Sequence, residues 1–223
     1  TIRIAAWSTV DDTWHALGTG SSGNVEGVAA ADDTVYVGGY LTSVSGVADT
    51  DHVAAWSYAD DTWHALGAGL SMGMYSFLID DDTVYVGGDF SDASGVPGTN
   101  KAAAWSYSDD TWHALGTGTS HTTYAFAADD DTVYAGGFFS TASGVPGTDK
   151  IAAYSYADDT WHPIGIGLNE TVATMQLDAR RDLLYVGGAF TAANGGPAWS
   201  LKRFAAWDRG ISAWIPMTHS AGN

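Results

Sequence analysis

The sequence predicts an all-β fold: a β-propeller of four-stranded antiparallel blades, with about five blade positions formed by four complete units and an N-terminal half blade. Three observations carry the prediction. Trp14, Trp63, Trp112 and Trp161 recur every 49 residues, and Trp214 follows 53 later. Glycine doublets keep the same beat at Gly38-Gly39, Gly87-Gly88, Gly136-Gly137 and Gly187-Gly188. Each unit holds four short runs of β-branched and aromatic residues separated by Asp, Gly and Pro, a pattern of strands and turns with no helical period. A repeat near fifty residues has the length of a propeller blade.

Taken in order, the half blade covers 1–20, and "RIAAWSTVDDTWHALG" within it matches only the last two strands of the unit. Complete blades are expected at about 24–67, 73–116, 122–165 and 171–217, in a single domain spanning 1–223. The second complete unit shows the plan. "MYSFLI" is a first strand and "DDD" a turn; "TVYVGGDF" is a second strand running into the doublet. "SDASGVPGTN" is a polar loop, "KAAAWSYS" a third strand, "DD" a turn, and "TWHALG" a fourth strand. Asp suits such turns because it tolerates their backbone geometry and bonds its own main chain.

One sheet of this kind cannot bury both faces. Stacked blades cover each other, and each buried aromatic side chain contributes about 1.5–3 kcal/mol from its area. Ring closure hides the end sheets, whereas an open solenoid would want polar caps, and none is evident. The orphan half blade is unusual. Its missing strands are not supplied by the tail "IPMTHSAGN", so the fifth position is either a half blade or is completed from another subunit or from further repeats. Unpaired strand edges invite pairing with another chain. Head-to-tail self-association by strand complementation is therefore an expected partnership, alongside surface glycans or proteins.

The words "VYVGGDF…AAWSYSDDTWHALGTG" resemble the kelch group of propeller repeats. They are closer still to propeller repeats of secreted bacterial proteins and fungal cortical-marker surface proteins. The resemblance covers nearly the whole chain. It implies the propeller fold and says little about function, because such propellers bind many things. The kelch group includes copper-dependent galactose oxidase, but that enzyme's Cys–Tyr cofactor is not carried over, because this chain has no Cys.

Charge limits the partners. With 26 acidic residues against 8 basic ones, the formal net charge is -18. That field disfavours nucleic acid and anionic membranes, and no apolar run approaches a membrane span. It suits a salty, halophilic habitat, where screening acts over a few ångströms. The absence of Cys excludes disulfides and thiolate chemistry. The opening "TIRIAAWSTV" lacks the apolar stretch of a signal peptide.

Variation between the units points to candidate functional positions. The link from each fourth strand to the next first strand changes most, and Glu26, Tyr75, Tyr124 and Ala173 occupy equivalent places beside it. A ligand pocket would use Glu26, Tyr75, Tyr124 and His121; drift in exposed loops is the competing explanation. Trp14, Trp63, Trp112, Trp161, Trp214 and the glycine doublets are assigned to structure. His15, His64, His113 and His162 are spread around a rim and so do not converge on a metal. Asp80-Asp81-Asp82 and Asp129-Asp130-Asp131 raise the question of calcium, but consecutive Asp residues point apart and lack the spacing of a calcium loop. No cofactor and no metal is expected.

No catalytic motif appears. Glu26 and Glu170 are the only glutamates. A glycosidase would need a carboxylate pair about 5–10 Å apart, which the sequence does not show. "NET" at Asn169 is a sequon of the kind that arises easily by chance. The expected function is a non-enzymatic extracellular or cell-surface structural or adhesive propeller, self-assembling through its incomplete blade. A multivalent carbohydrate-binding lectin and a glycoside hydrolase are the alternatives.

Overall fold

The computed structural model describes residues 3–196 and 201–217. Within them the chain is all-β, with eighteen strands and no helix. The strands form one two-stranded and four four-stranded antiparallel sheets of the propeller-blade type. The tail from 218 onward, considered above as a source of the missing strands, lies outside the described residues.

The chain divides into two compact units, Thr1–Ala114 and Leu115–Asn223. The first holds the half blade, β1 (Ala5–Ser8) and β2 (Thr13–Ala16), followed by two complete blades. Blade A is β3 (Asn24–Ala31), β4 (Thr34–Tyr40), β5 (Val53–Ser57) and β6 (Thr62–His64). Blade B is β7 (Met74–Asp80), β8 (Thr83–Gly88), β9 (Ala102–Ser106) and β10 (Thr111–Ala114). The second unit holds two more. Blade C is β11 (Thr123–Asp129), β12 (Thr132–Gly137), β13 (Ile151–Ser155) and β14 (Thr160–Pro163). Blade D is β15 (Val172–Asp178), β16 (Leu183–Gly188), β17 (Phe204–Asp208) and β18 (Ala213–Pro216). In every complete blade the strands pair in chain order, as expected for successive hairpins.

The Asp-rich turns work as their composition implies. Asp12, Asp61, Asp110 and Asp159 all adopt left-handed backbone, with φ between 54° and 60°. The preceding Asp accepts a main-chain hydrogen bond two residues on, as in Thr62 N to Asp60 Oδ1 at 3.2 Å. The long loop between second and third strands is pinned by a buried threonine. Thr99 Oγ1 accepts the Ala93 N–H at 2.8 Å and donates to the Val96 carbonyl at 2.7 Å; Thr50 and Thr148 repeat the arrangement. A hydroxyl can serve one donor and one acceptor at once, which is what a buried loop backbone requires.

Consecutive blades within a unit are latched by tryptophan. Trp56 and Trp63 face each other across β5 and β6 in an edge-to-face pair at 5.3 Å, and Trp105 with Trp112 repeats it at 5.4 Å. The outer indole then donates to a main-chain carbonyl: within the first unit Trp63 Nε1 to Leu17 at 3.1 Å and Trp112 Nε1 to Leu66 at 2.9 Å, and within the second Trp161 Nε1 to Leu115 at 2.8 Å. Two members of the series differ. Trp214 keeps its edge-to-face partner Trp207, but its Nε1 is buried without a hydrogen-bond partner among the described residues. Trp14 in the half blade is 68% exposed, against 5% for Trp63.

The glycine doublets divide two tasks. The first glycine lets the next blade approach: a Cβ at Gly38 would lie 2.4 Å from Met74 Sδ, and one at Gly136 2.4 Å from Val172 Cγ1. The second lies over its own blade's first strand. A Cβ at Gly137 would meet the Thr122 carbonyl oxygen at 2.2 Å, and at Gly188 the Thr171 oxygen at 2.1 Å.

Candidate functional site

Opposite each doublet the first strand carries a β-bulge. The register jumps from Val25↔Gly39 to Gly27↔Gly38, from Met74↔Gly88 to Ser76↔Gly87, from Thr123↔Gly137 to Ala125↔Gly136, and from Val172↔Gly188 to Thr174↔Gly187. The extra residues are Glu26, Tyr75, Tyr124 and Ala173, the four equivalent positions singled out by sequence. A bulge re-aims a side chain out of the pleat, so the fold presents these four differently from every other strand residue.

Two further positions gather at the same end of each blade. The residue after the doublet is Tyr40, Asp89, Phe138 or Ala189. The residue leading into the third strand is His52, Lys101, Lys150 or Arg203, each in left-handed conformation with φ between 59° and 70°. Backbone bonds fix this geometry: the second glycine donates to that residue's carbonyl, as in Gly88 to Lys101 at 3.1 Å and Gly137 to Lys150 at 2.9 Å. Lys101, Lys150 and Arg203 are three of only eight Lys and Arg in the chain. The bulge end of a blade thus carries cations and aromatics, while the opposite end carries the Asp turns.

In the first unit this end forms a connected cluster. Tyr75 donates to Asp89 Oδ2 at 2.9 Å, the Tyr40 and Tyr75 hydroxyls are hydrogen-bonded to each other, and Tyr40 lies 3.4 Å from the same carboxylate oxygen. The Tyr40 ring packs edge-on to Tyr75 and to His52. The bond to Tyr40, then burial and the Asp89 carboxylate, push the Tyr75 hydroxyl pKa well above the ordinary phenol range, so Tyr75 is a hydrogen-bond donor at neutral pH. Glu26 is exposed on its bulge. In the second unit His121 packs edge-on to Phe138 at 5.0 Å, and Lys150 Nζ lies over that same Phe138 ring, 4.4 Å from its centroid, while donating to the Phe138 carbonyl at 2.9 Å. His121 Nδ1 accepts the Thr122 N–H at 2.9 Å, which leaves the proton on Nε2. Tyr124 is half-buried on its bulge.

Glu26 and Tyr75 therefore belong to the first unit, and His121 and Tyr124 to the second. Sequence reasoning missed Tyr40, His52, Asp89, Lys101, Phe138, Lys150 and Arg203. The signal was present: they are the other positions that differ between otherwise near-identical units, and they flank the doublet and the third strand.

The repeated histidines have a local role. His15, His64, His113 and His162 each place Nε2 about 3 Å from the carboxylate four residues earlier (Asp11, Asp60, Asp109 and Asp158), across the last hairpin and half exposed. The Asp11 carboxyl is held down to about 2, first by His15; that of Asp60 also to about 2, first by Thr62 and then His64. Asp109 and Asp158 shift the same way, led by Thr111 and by His162 respectively. A carboxylate with a lowered native pKa contributes stability that is complete above its unfolded value of about 3.9 and is lost as pH falls through its folded value. Changing all four to Asn should lower the urea midpoint slightly at pH 6 and flatten its decline between about pH 4 and pH 2, as followed by tryptophan fluorescence. An unchanged slope in that window would mean the clips do not contribute.

Between blades C and D a second feature departs from the repeat. Arg209 stands where blade B has Tyr107. It donates to Asp182 at 2.6 Å and to the Tyr134 hydroxyl at 3.0 Å, and it pairs with Asp129. With Trp207, Thr132 and Ser155 these groups line a cavity of about 510 Å³. Among the described residues no group of three or more His, Asp or Glu is placed to hold a metal ion.

No protein-family model matches the sequence, and no curated protein sequence matches it. Solved structures do resemble the fold. The computationally designed Ika4 protein matches with a TM-score of 0.53 and 15% identity, over 86% of this chain and 94% of Ika4. The RRP9 WD40 repeats match at 0.55 and 10% identity, over 88% of this chain and 51% of theirs. The extracellular domain of the putative one-component system BT4673 from B. thetaiotaomicron matches at 0.58 and 12% identity, over 92% of this chain and 24% of that one. The chain thus spans about half of the WD40 protein and a quarter of the bacterial domain. At these identities the likeness is one of fold alone: a propeller-type repeat scaffold.

Proposed function

We propose that this chain is a non-enzymatic, kelch-like adhesive propeller of the extracellular or cell-surface environment, which contacts glycans through the bulge ends of its blades. The supporting observation is the Tyr40–Tyr75–Asp89 cluster, set on a bulge where three variable positions meet while the rest of the unit scarcely changes. Aromatic rings offer flat apolar faces to a sugar ring, and a carboxylate accepts from its hydroxyls. The cations at the neighbouring position suit acidic sugars in a chain that is otherwise strongly anionic. Several weak sites on one scaffold would add through avidity, as adhesion requires.

A glycan array probed with fluorescently labelled protein in high salt tests this. Retention on a defined sugar class is expected, with Tyr40→Ala and Asp89→Ala each reducing it at least tenfold while the unfolding midpoint moves little. Absence of retention on any sugar, across salt concentrations, would overturn the glycan assignment.

A further inference from the structure

The cavity between blades C and D, both in the second unit, lies at the end of the blades opposite the bulges. Its volume of about 510 Å³ falls within the ~300–1,000 Å³ typical of small-molecule sites. Between blades A and B the corresponding place holds an aromatic ring: Tyr107 packs on Tyr36 at 5.6 Å, and Ala31 stands where blade C has Asp129. Between C and D three positions leave the repeat together. Arg209 replaces the tyrosine found as Tyr58, Tyr107 and Tyr156; Pro163 replaces Ala16, Ala65 and Ala114; Ser212 replaces Asp61, Asp110 and Asp159. All three line the cavity. Variation between near-identical units marks the bulge positions, and it gathers here a second time.

Arg209 is fixed with bonding capacity to spare. Its Nε donates to Asp182 Oδ1 at 2.6 Å, while Nη1 bonds Asp129 and donates to the Tyr134 hydroxyl at 3.0 Å. Nη2 has no partner among the described residues, so its two N–H groups remain to donate. Asp182 holds Arg209 through Oδ1 alone, on a half-exposed side chain, which leaves Oδ2 to accept. Trp207, Pro163 and Ile164 supply apolar surface beside these groups.

We infer that this cavity binds one neutral sugar residue, at the opposite end of the blades from the bulge positions and independently of them. Charge selects the class of ligand. The carboxylates of Asp129, Asp131 and Asp182 outnumber the single guanidinium around the cavity, so an anion is repelled. A cation must compete with Arg209 for Asp129 and Asp182, which already hold it. A neutral sugar avoids both costs. One hydroxyl accepts from Arg209 Nη2 while a hydroxyl donates to Asp182 Oδ2, and the C–H face of the ring packs on Trp207. Asp129 and Tyr134 hold the guanidinium in place before the ligand arrives, so little freedom is lost on binding.

The test titrates the intact chain with a panel of neutral methyl pyranosides and the matching reducing sugars, read by saturation-transfer NMR. Binding of at least one neutral pyranoside is expected, unchanged within about twofold between about 0.1 M and 1 M salt, because a neutral ligand brings no charge to screen. A preference for the glycoside identifies the end of a glycan and a preference for the reducing sugar a free monosaccharide; both support the inference. Arg209→Lys keeps the charge but loses the planar fork, and should weaken binding at least tenfold. Asp129→Ala combined with Arg209→Tyr installs the Ala31 and Tyr107 arrangement of blades A and B. That double variant should lose binding at least tenfold while its urea midpoint stays near that of the parent. Tyr40→Ala and Asp89→Ala should leave this binding unchanged, so the cavity and the bulge-end assignment stand or fall separately. Four outcomes would overturn the inference: no saturation transfer to any neutral pyranoside, tighter binding of an alkylammonium or carboxylate probe, full binding by the double variant, or equal loss in Tyr40→Ala.

Discussion

Gly137→Ala should be among the most damaging single substitutions in the chain, costing more than the ~1–3 kcal/mol of ordinary overpacking. A Cβ there would lie 2.2 Å from the Thr122 carbonyl oxygen and 2.9 Å from Thr123 Cα. Both are backbone atoms on the bulged first strand, so no side-chain rotation relieves the clash, and β11 must separate from β12 at the bulge. Gly144→Ala is the matched control. Gly144 has φ of 72° and nothing within 4 Å of the new Cβ. Its cost is confined to the left-handed backbone penalty of ~1–2 kcal/mol. Urea unfolding of the two variants should place Gly137→Ala well below Gly144→Ala. Equal midpoints would mean that the doublet does not set the spacing between the strands.

Loss at Gly137 should extend to ligand binding, since the same glycine N–H holds the carbonyl of Lys150. The bulge, the doublet and the left-handed residue before the third strand form one backbone unit. This is why the chain can vary Glu26, Tyr75, Tyr124 and Ala173 freely while the glycines stay fixed. The scaffold specifies where the side chain points, and the identity of that side chain is left open.

Much of this was legible in the sequence because it is local. Period-two runs, Asp turns and the doublets specify strands within a unit, and the residues marked as variable are the bulged ones. What escaped sequence reasoning depends on neighbours from another unit. Tyr40 and Asp89 are separated by a whole repeat, yet they meet on Tyr75, and no local pattern announces that meeting. Arg209 looks like a surface cation in "AAWDRG", but it is clamped by Asp129 and Asp182 because blade C lies against blade D there. Trp214 keeps the repeat's tryptophan without its hydrogen bond, within "SAWIPM" where the other units read "DTWHALG" or "DTWHPIG", and after a unit lengthened in the turn "DARRDL". Identical words therefore acquire different energies from what packs on them.

The tryptophans make that point measurable. "DDTWHALG" contains Trp14 in the half blade and Trp112 in blade B with the same flanking residues. Trp112 is 4% exposed, pairs edge-on with Trp105 and donates to the Leu66 carbonyl. Trp112→Ala should cost ~3–5 kcal/mol, through the cavity left behind and the orphaned carbonyl. Trp14 faces solvent, so Trp14→Ala should cost under ~1 kcal/mol, close to an ordinary surface change. Trp→Phe substitutions separate the hydrogen bond from the packing. Trp161→Phe should lose about 0.5–1.5 kcal/mol more than Trp214→Phe, since only the former breaks an indole-to-carbonyl bond. Chemical denaturation of the four variants, monitored by circular dichroism so that the lost fluorophore does not matter, would decide it. If Trp14→Ala proved as costly as Trp112→Ala, the half blade would have a packed neighbour in solution and its outer face would not be free.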